Sequence, residues 1–379
     1  MNQAIVPSIP SINYAPEQYQ QLWLAKHQRI SHLLDSFNPP APECFDSPVS
    51  HFRMRAEFRI WHDWSTETGQ CNYVMFEKDQ PKVPVKVSNY AIGNQAITEL
   101  MQPLIDCLNQ SQALKHKLFQ IEFLSTSTNE VLVSLIYHRQ LDDNWQQAAT
   151  KLEQDFGIQV IGRAKKQRLV ISRDYVTEKL IINQQAFYYQ QQENSFTQPN
   201  AAINCKMIEW VCSHLSDQEN RDLLELYCGN GNFTIPLAQK FKKVLATEVS
   251  KSSIKLAQEN CGLNNSSNIE FIRLSSDETA SALKQEREFR RLKHIEISDY
   301  DFSTVLVDPP RAGLDSNTLA LVSGFETIIY ISCNPITLSA NLETLSQTHK
   351  IERFALFDQF PYTDHCECGM ILVRKINDQ

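Results

Sequence analysis

No Cys-x-x-Cys pair occurs in this chain, although it carries 10 cysteines in 379 residues. That absence excludes the usual zinc-ribbon and thioredoxin-type motifs, and cysteines this dilute do not form a disulfide scaffold, so each is expected to be a reduced thiol. Glycine is also scarce, at 10 residues, and no stretch approaches 18 uninterrupted apolar positions. Collagen-like and membrane-spanning classes fall away together. The first residues, MNQAIVPSIPSINYAPEQ, lack a charged region followed by an apolar run, so the expectation is a soluble, cytoplasmic chain. Positive charge is in deficit too: 36 Lys+Arg stand against 44 Asp+Glu, a net charge of -8 that argues against coating nucleic acid by bulk charge.

What is present is ample apolar material, 42% of residues, over a length that suits two or more domains. The acidity is uneven. Residues 1–200 hold 18 basic and 20 acidic side chains, and 201–379 hold 18 and 24. Within the first half, Arg53, Arg55 and Arg59 surround one acid, Glu57, and Arg163, Lys165, Lys166, Arg168 and Arg173 form a run with no acid among them. Both are candidate phosphate-contacting surfaces.

Three regions follow from the patterning. Residues 1–45 read as an N-terminal helical segment, with Leu22, Leu24, Ile30, Leu33 and Leu34 at amphipathic-helix spacing before Phe37-Asn38-Pro39-Pro40. From Phe52 the pattern alternates, with Met54, Ala56, Phe58 and Ile60 on one face of a strand and Arg53, Arg55, Glu57 and Arg59 on the other. Further strands (119–124, 130–137, 159–162, 168–171) and helices (94–108, 145–156) make residues 46–190 an α+β domain. In residues 191–379, short apolar runs at 223–227, 244–247, 269–273, 304–307 and 327–332 alternate with helices. Strands buried on both faces of a doubly wound α/β sheet look like this, and runs at 354–360 and 370–374 read as terminal strands.

Candidate chemistry lies where those strands end. Glu225-Leu-Tyr-Cys-Gly-Asn-Gly-Asn-Phe233 turns a first strand into its helix, with Gly229 and Gly231 permitting close ligand approach. The third glycine of a dinucleotide loop is missing. Glu248 ends the next strand 19 residues after Gly229, where an acid can accept hydrogen bonds from two ribose hydroxyls. An adenosine ligand without a pyrophosphate, such as S-adenosylmethionine, fits both; a structural turn with an exposed glutamate is the alternative.

Asp308, in Val307-Asp308-Pro309-Pro310-Arg311, stands on a loop stiffened by two prolines, or else caps its own turn. Cys333 follows an apolar strand in Tyr330-Ile-Ser-Cys-Asn-Pro335, either meeting a ligand or buried as a structural thiol. Glu367 lies between Cys366 and Cys368. Zinc held by His365, Cys366 and Cys368 is disfavoured, because adjacent strand residues face opposite ways and nothing completes a tetrahedral set. A thiol and a carboxylate beside one cofactor are what a Michaelis-type methyl transfer requires.

The strings SPVSHFRMRAEFRIWHD, ENSFTQPNAA, LLELYCGNGNF, VLATE, VDPPRAGLD, YISCNP, NLETLSQTHK and LFDQFPYT, spread from Ser47 to Gly369, resemble the RNA (uracil-5-)-methyltransferase family and within it the bacterial tRNA branch. The resemblance implies a Rossmann-like S-adenosylmethionine-dependent methyltransferase domain preceded by an α+β RNA-binding domain. It also implies Cys333 as nucleophile, Glu367 as base, and Gln198, Tyr227, Asn232, Glu248 and Asp308 at the S-adenosylmethionine site. The implied reaction is C5-methylation of the T-loop uridine of tRNA to ribothymidine, with transfer-messenger RNA (tmRNA) as a further substrate and no obligate protein partner.

Ribosomal members of the family often carry four N-terminal cysteines for an iron-sulfur cluster; here only Cys44 and Cys71 precede Cys107, without cluster spacing, so neither cluster nor metal is expected. A T-loop base must be extruded from its stack, and Arg53, Arg55, Arg59, Phe119, His138 and the 163–173 run are the candidate RNA contacts. Methylation of a ribosomal RNA uridine and an RNA-folding chaperone role are the competing readings.

Overall fold

The structure is a computed structural model that describes residues 14–65, 69–77, 80–215, 218–286 and 289–376. Two compact units divide the chain. The first is built on Pro48–Lys179 and Gln190–Ala201, the second on Glu17–Ser47, Leu180–Tyr189 and the residues from Ala202 onward.

Helix α1 (Tyr19–Leu34) and strand β1 (Glu43–Phe45) therefore count with the second unit. The buried stripe of α1 is Tyr19, Trp23, Lys26, Ile30 and Leu34. It differs from the leucine face expected from sequence: Leu22 and Leu24 are 40% and 53% exposed. The two aromatics bury more surface than the leucines would, and they set the rotation of the helix. A lysine lies in the middle of the buried face.

The first unit contains β2 (Arg55–Asp63), β3 (Gln70–Glu77), β4 (Gln80–Lys86), α2 (Gln95–Gln110), α3 (Gln112–Lys115), β5 (Leu118–Ser125), β6 (Val131–Tyr137), α4 (Asp143–Phe156), β7 (Gln159–Ala164) and β8 (Gln167–Val170). They form a seven-stranded sheet ordered β4-β3-β2-β5-β6-β7-β8. All pairs are antiparallel except β6 and β7, which run parallel through the crossover helix α4.

Asn94 and Asp142 cap α2 and α4 by accepting the N–H groups of Ala96 and Trp145. The helices bury Ile97, Leu104 and Trp145 against Phe58, Tyr73 and Leu135. Gly162 permits this approach, since a Cβ there would lie 2.2 Å from the Trp145 ring. The alternation read from Phe52 onward holds: Ala56, Phe58 and Ile60 are core.

A hairpin, β9 (Tyr175–Ile182) with β10 (Gln185–Gln192), precedes the second unit's main run. That run is α5 (Ala201–His214), β11 (Gln218–Leu226), α6 (Thr234–Leu237), β12 (Phe241–Thr247), α7 (Lys251–Leu263), β13 (Ile269–Ile272), α8 (Ser276–Leu283), β14 (Phe302–Val307), α9 (Ser316–Val322), β15 (Thr327–Ser332), α10 (Pro335–Thr348), β16 (His349–Phe357) and β17 (Glu367–Arg374). The eight strands are ordered β1-β16-β17-β15-β14-β11-β12-β13. Strands β11 to β15 are mutually parallel, whereas β17 is antiparallel to both β15 and β16.

The doubly wound architecture expected from the short apolar runs is therefore present. The order reverses between β11 and β14, the topological switch point outside whose carboxyl ends such sheets bind ligands. The terminal strands differ in extent from the sequence reading: β16 stops at Phe357, and β17 begins at Glu367. Among the described residues, no helix is long and apolar enough to cross a membrane.

Candidate active site

Four of the sequence-predicted residues, Tyr227, Glu248, Asp308 and Cys333, immediately follow the carboxyl ends of β11, β12, β14 and β15. At the first of these, Tyr227 has φ 62°. A bulky residue in the left-handed region costs roughly 1–2 kcal/mol, so the turn is strained. The hydroxyl of Tyr227 donates to Ser276 Oγ at 2.8 Å, which ties the turn to the start of α8. Gly229 follows with φ 55° and open space where its Cβ would be. The Glu248 carboxylate accepts the N–H groups of Gly229 at 3.3 Å and Ser250 at 2.8 Å.

Asn232 is oriented by a partner that the sequence did not disclose. Its side-chain amide forms a reciprocal pair with that of Asn204 on α5, each Nδ2 donating to the other's Oδ1 at 2.8 Å. That pairing uses one donor and one acceptor on Asn232 and leaves one of each for a ligand.

Glu225, two residues before Tyr227, is a second residue that sequence reasoning missed. Its only signal was an acid inside the apolar run Leu-Leu-Glu-Leu. The side chain is 1% exposed, and its Oε2 has no hydrogen-bond partner among the described residues. Burial pushes its pKa up to about 8, with the Thr234 hydroxyl opposing and Asp308 adding. The Asp308 carboxyl is likewise raised by burial, to about 7.

The last two strands bring thiol and acid together. Ser332 on β15 pairs with Cys368 on β17, which brings Cys333, just after the first, and Glu367, just before the second, to the same end of the two strands, close enough for Glu367 to act on the thiol electrostatically. Asn334 caps α10, and its Nδ2 donates to the Arg311 carbonyl at 2.9 Å, which fastens the cysteine turn to the Asp308 loop. Burial pushes the Cys333 thiol up to about 11, with Glu367 and Asp308 raising it and Arg311 opposing. Glu367, 4% exposed, is held well above the ordinary glutamate range by burial and Asp308, again against Arg311. At neutral pH the Cys333 thiol rests uncharged, and burial disfavours the ionised form of Glu367.

Gln198 belongs to the first unit. The segment it lies on is fixed by Arg55, whose guanidinium donates to the carbonyls of Gln192, Glu193 and Ser195 and to Thr197 Oγ1. Arg55 is thus an interior brace and is unavailable to phosphate.

The basic run is also less free than its sequence implied. Arg168 and Arg163 face Glu193 at 3.1 and 3.7 Å, and Arg173 pairs with Glu130 at 2.7 Å. Arg59 lies 3.9 Å over the Phe119 ring, which stacks on His138 at 4.0 Å. Among the described residues, no group of three or more His, Cys, Asp or Glu side chains could hold a metal ion.

The model of the tRNA (uracil-5-)-methyltransferase family matches residues 18–375. The chain belongs to that family. The methyltransferase is 50% identical over 361 residues to the tRNA/tmRNA (uracil-C(5))-methyltransferase of Acinetobacter baylyi, covering 94% of this chain and 99% of that one. To the Shewanella frigidimarina protein of the same name it is 49% identical over 364 residues, covering 95% and 98%. Its fold is shared with the Pyrococcus abyssi tRNA (uracil-54, C5)-methyltransferase, solved with S-adenosyl-L-homocysteine, at a TM-score of 0.72 and 22% identity over 94% of this chain and 83% of that one.

The residues at this edge suit an S-adenosylmethionine cofactor. Glu248 offers a carboxylate to ribose hydroxyls, Gly229 leaves room for close approach, and the unpartnered Glu225 Oε2 offers an acceptor.

Proposed function

We propose that this chain, in the cytoplasm, methylates carbon 5 of the T-loop uridine of tRNA and the equivalent uridine of tmRNA, through a covalent bond to Cys333. The observation that carries the reading is the pair Cys333 and Glu367 at the edge where Asp308, Tyr227 and Glu248 also end.

C5 of uracil is too weak a nucleophile to attack an electrophilic methyl group unaided. Addition of the Cys333 sulfur at C6 forms the S–C6 bond and pushes electron density to C5. S-adenosylmethionine supplies the methyl that C5 then takes. Glu367 as carboxylate removes the C5 hydrogen, the S–C6 bond breaks, and Cys333 leaves as thiolate. A raised pKa makes Glu367 a stronger base than an exposed carboxylate once it is ionised. Positive charge brought to this edge lowers the pKa of Cys333 and of Glu367, opposing the burial that holds both up.

Tyr227, Asn232, Glu248 and Asp308 hold the cofactor in this reading, and the Arg59, Phe119, His138 stack receives RNA through a cation and aromatic faces. Unmodified tRNA with methyl-labelled cofactor provides the test. Label is expected at the T-loop uridine, none with Cys333→Ala, and an SDS-stable protein–RNA adduct with Glu367→Gln. Full activity of Cys333→Ala would overturn the mechanism, and label elsewhere in the RNA would overturn the substrate.

A further inference from the structure

Residues 358–366 join β16 to β17 and deliver the chain into Glu367. A nine-residue connection between paired strands has wide conformational freedom unless something fixes it, and here α1 does so at several points. Lys26 Nζ, on the buried stripe of the helix, meets Asp358 Oδ1 at 2.5 Å and donates to the Phe360 carbonyl at 3.1 Å. Both side chains of the ion pair are almost wholly buried, at 5% and 1% exposure.

One turn further along α1, Arg29 donates to the Asp364 carbonyl at 2.6 Å. Tyr19, at the start of the helix, packs edge-on against Tyr362 with ring centroids 5.9 Å apart. Tyr362 itself sits at φ 63°, a conformation that a tyrosine holds only where its surroundings impose it.

We infer that α1 is a positioning element for the proton-abstraction step: Lys26 and Arg29 hold residues 358–366 so that Glu367, at the first position of β17, meets the Cys333 end of β15. The inference rests on the reading of Glu367 as base. An apolar filler at position 26 would pack α1 equally well. A buried ion pair with a second bond to the Phe360 carbonyl instead selects one loop conformation, which is the best-attested use of buried polar groups.

The step at stake moves the C5 proton to the Glu367 carboxylate while the S–C6 bond breaks. Its rate depends on placement, whereas addition of Cys333 and methyl transfer do not draw on Glu367. Misplacing the base therefore stalls the enzyme after methylation, with uracil still attached.

The decisive variant is the double replacement Lys26→Met/Asp358→Leu, which removes both charges together and leaves neither buried alone. Arg29→Met is the second variant, made at an exposed side chain so that folding is not at risk. Single-turnover reactions with methyl-labelled cofactor and unmodified tRNA are followed both as label in RNA and as label in SDS-stable adduct, with Glu367→Gln and Lys26→Arg alongside.

The expected result is methylation within about twofold of the parent and elimination slowed roughly tenfold to a hundredfold in the double variant. Arg29→Met should shift the same way by less, and Lys26→Arg should restore turnover. If both variants lose addition, methylation and elimination in proportion, the helix is merely structural and the inference fails. It also fails if Glu367→Gln traps adduct while the double variant releases product at the parental rate. No adduct with Glu367→Gln would sink the base assignment itself, and the inference with it.

Discussion

Replacing Glu225 by glutamine should shift the protein's stability increasingly in the variant's favour as the pH rises. The carboxyl is 1% exposed, and burial raises its pKa from the ordinary 4.5 to about 8. A folded-state pKa above the unfolded one means that folding favours the protonated form. That contribution is complete below 4.5 and is lost as the pH rises through 8.

Between about pH 5 and pH 8 the parent should therefore lose roughly 3.5 kcal/mol relative to Glu225→Gln, close to 1.4 kcal/mol per pH unit over most of the range. Glutamine adds a constant offset from its extra buried N–H, on the order of 1–3 kcal/mol, but that offset does not vary with pH. Denaturant unfolding of both proteins across this range measures the difference, read from the transition of the second unit. Stability curves that stay parallel within about 1 kcal/mol would refute the account of Glu225 as a buried acid with a raised pKa. Saturating S-adenosylmethionine should narrow the gap at high pH if its positive charge compensates the ionised carboxylate.

Position 227 should reverse the usual order of small residues, with Tyr227→Gly more stable than Tyr227→Ala by about 1 kcal/mol because only glycine adopts φ 62° without strain; calorimetry of the two variants decides it. Asn204→Leu removes the amide partner of Asn232 and should weaken S-adenosyl-L-homocysteine binding about tenfold by titration calorimetry, an effect of about 1.4 kcal/mol. Unchanged affinity would show that Asn232 needs no such orientation. Arg55→Met strips the brace from four acceptors and should cost about 3 kcal/mol or more of stability, with Arg55→Lys unable to restore it. By contrast, Arg59→Ala should leave stability nearly unchanged while lowering the slope of log tRNA affinity against log salt by about 1, and an unaltered slope would remove Arg59 from the RNA surface.

The edge of the second unit was legible because each of its parts is local. A short apolar run followed by Tyr-Cys-Gly-Asn-Gly, by Asp-Pro-Pro or by Cys-Asn-Pro marks the point where a strand stops, and a parallel sheet brings such points to one side. Glu225 was hidden inside such a run, where its burial depends on neighbouring strands. The RNA-facing candidates were less legible. Arg163, Arg168 and Arg173 look unopposed because acids are missing from their own stretch, yet Glu193 and Glu130 reach them from other elements. Arg55 reads as a surface cation by alternation and is instead spent on the carbonyls of Gln192, Glu193 and Ser195.

By itself the sequence determined the strand-ending motifs, their order along the chain and the doubly wound class, since these follow from residue-by-residue preferences over a few positions. Only the tertiary structure decided which charges are neutralised and what holds Glu367. Lys26 and Asp358 are 332 residues apart in the chain. Periodicity reports which side of an element faces inward, and pairing across that distance depends on how whole elements pack, which no local pattern records.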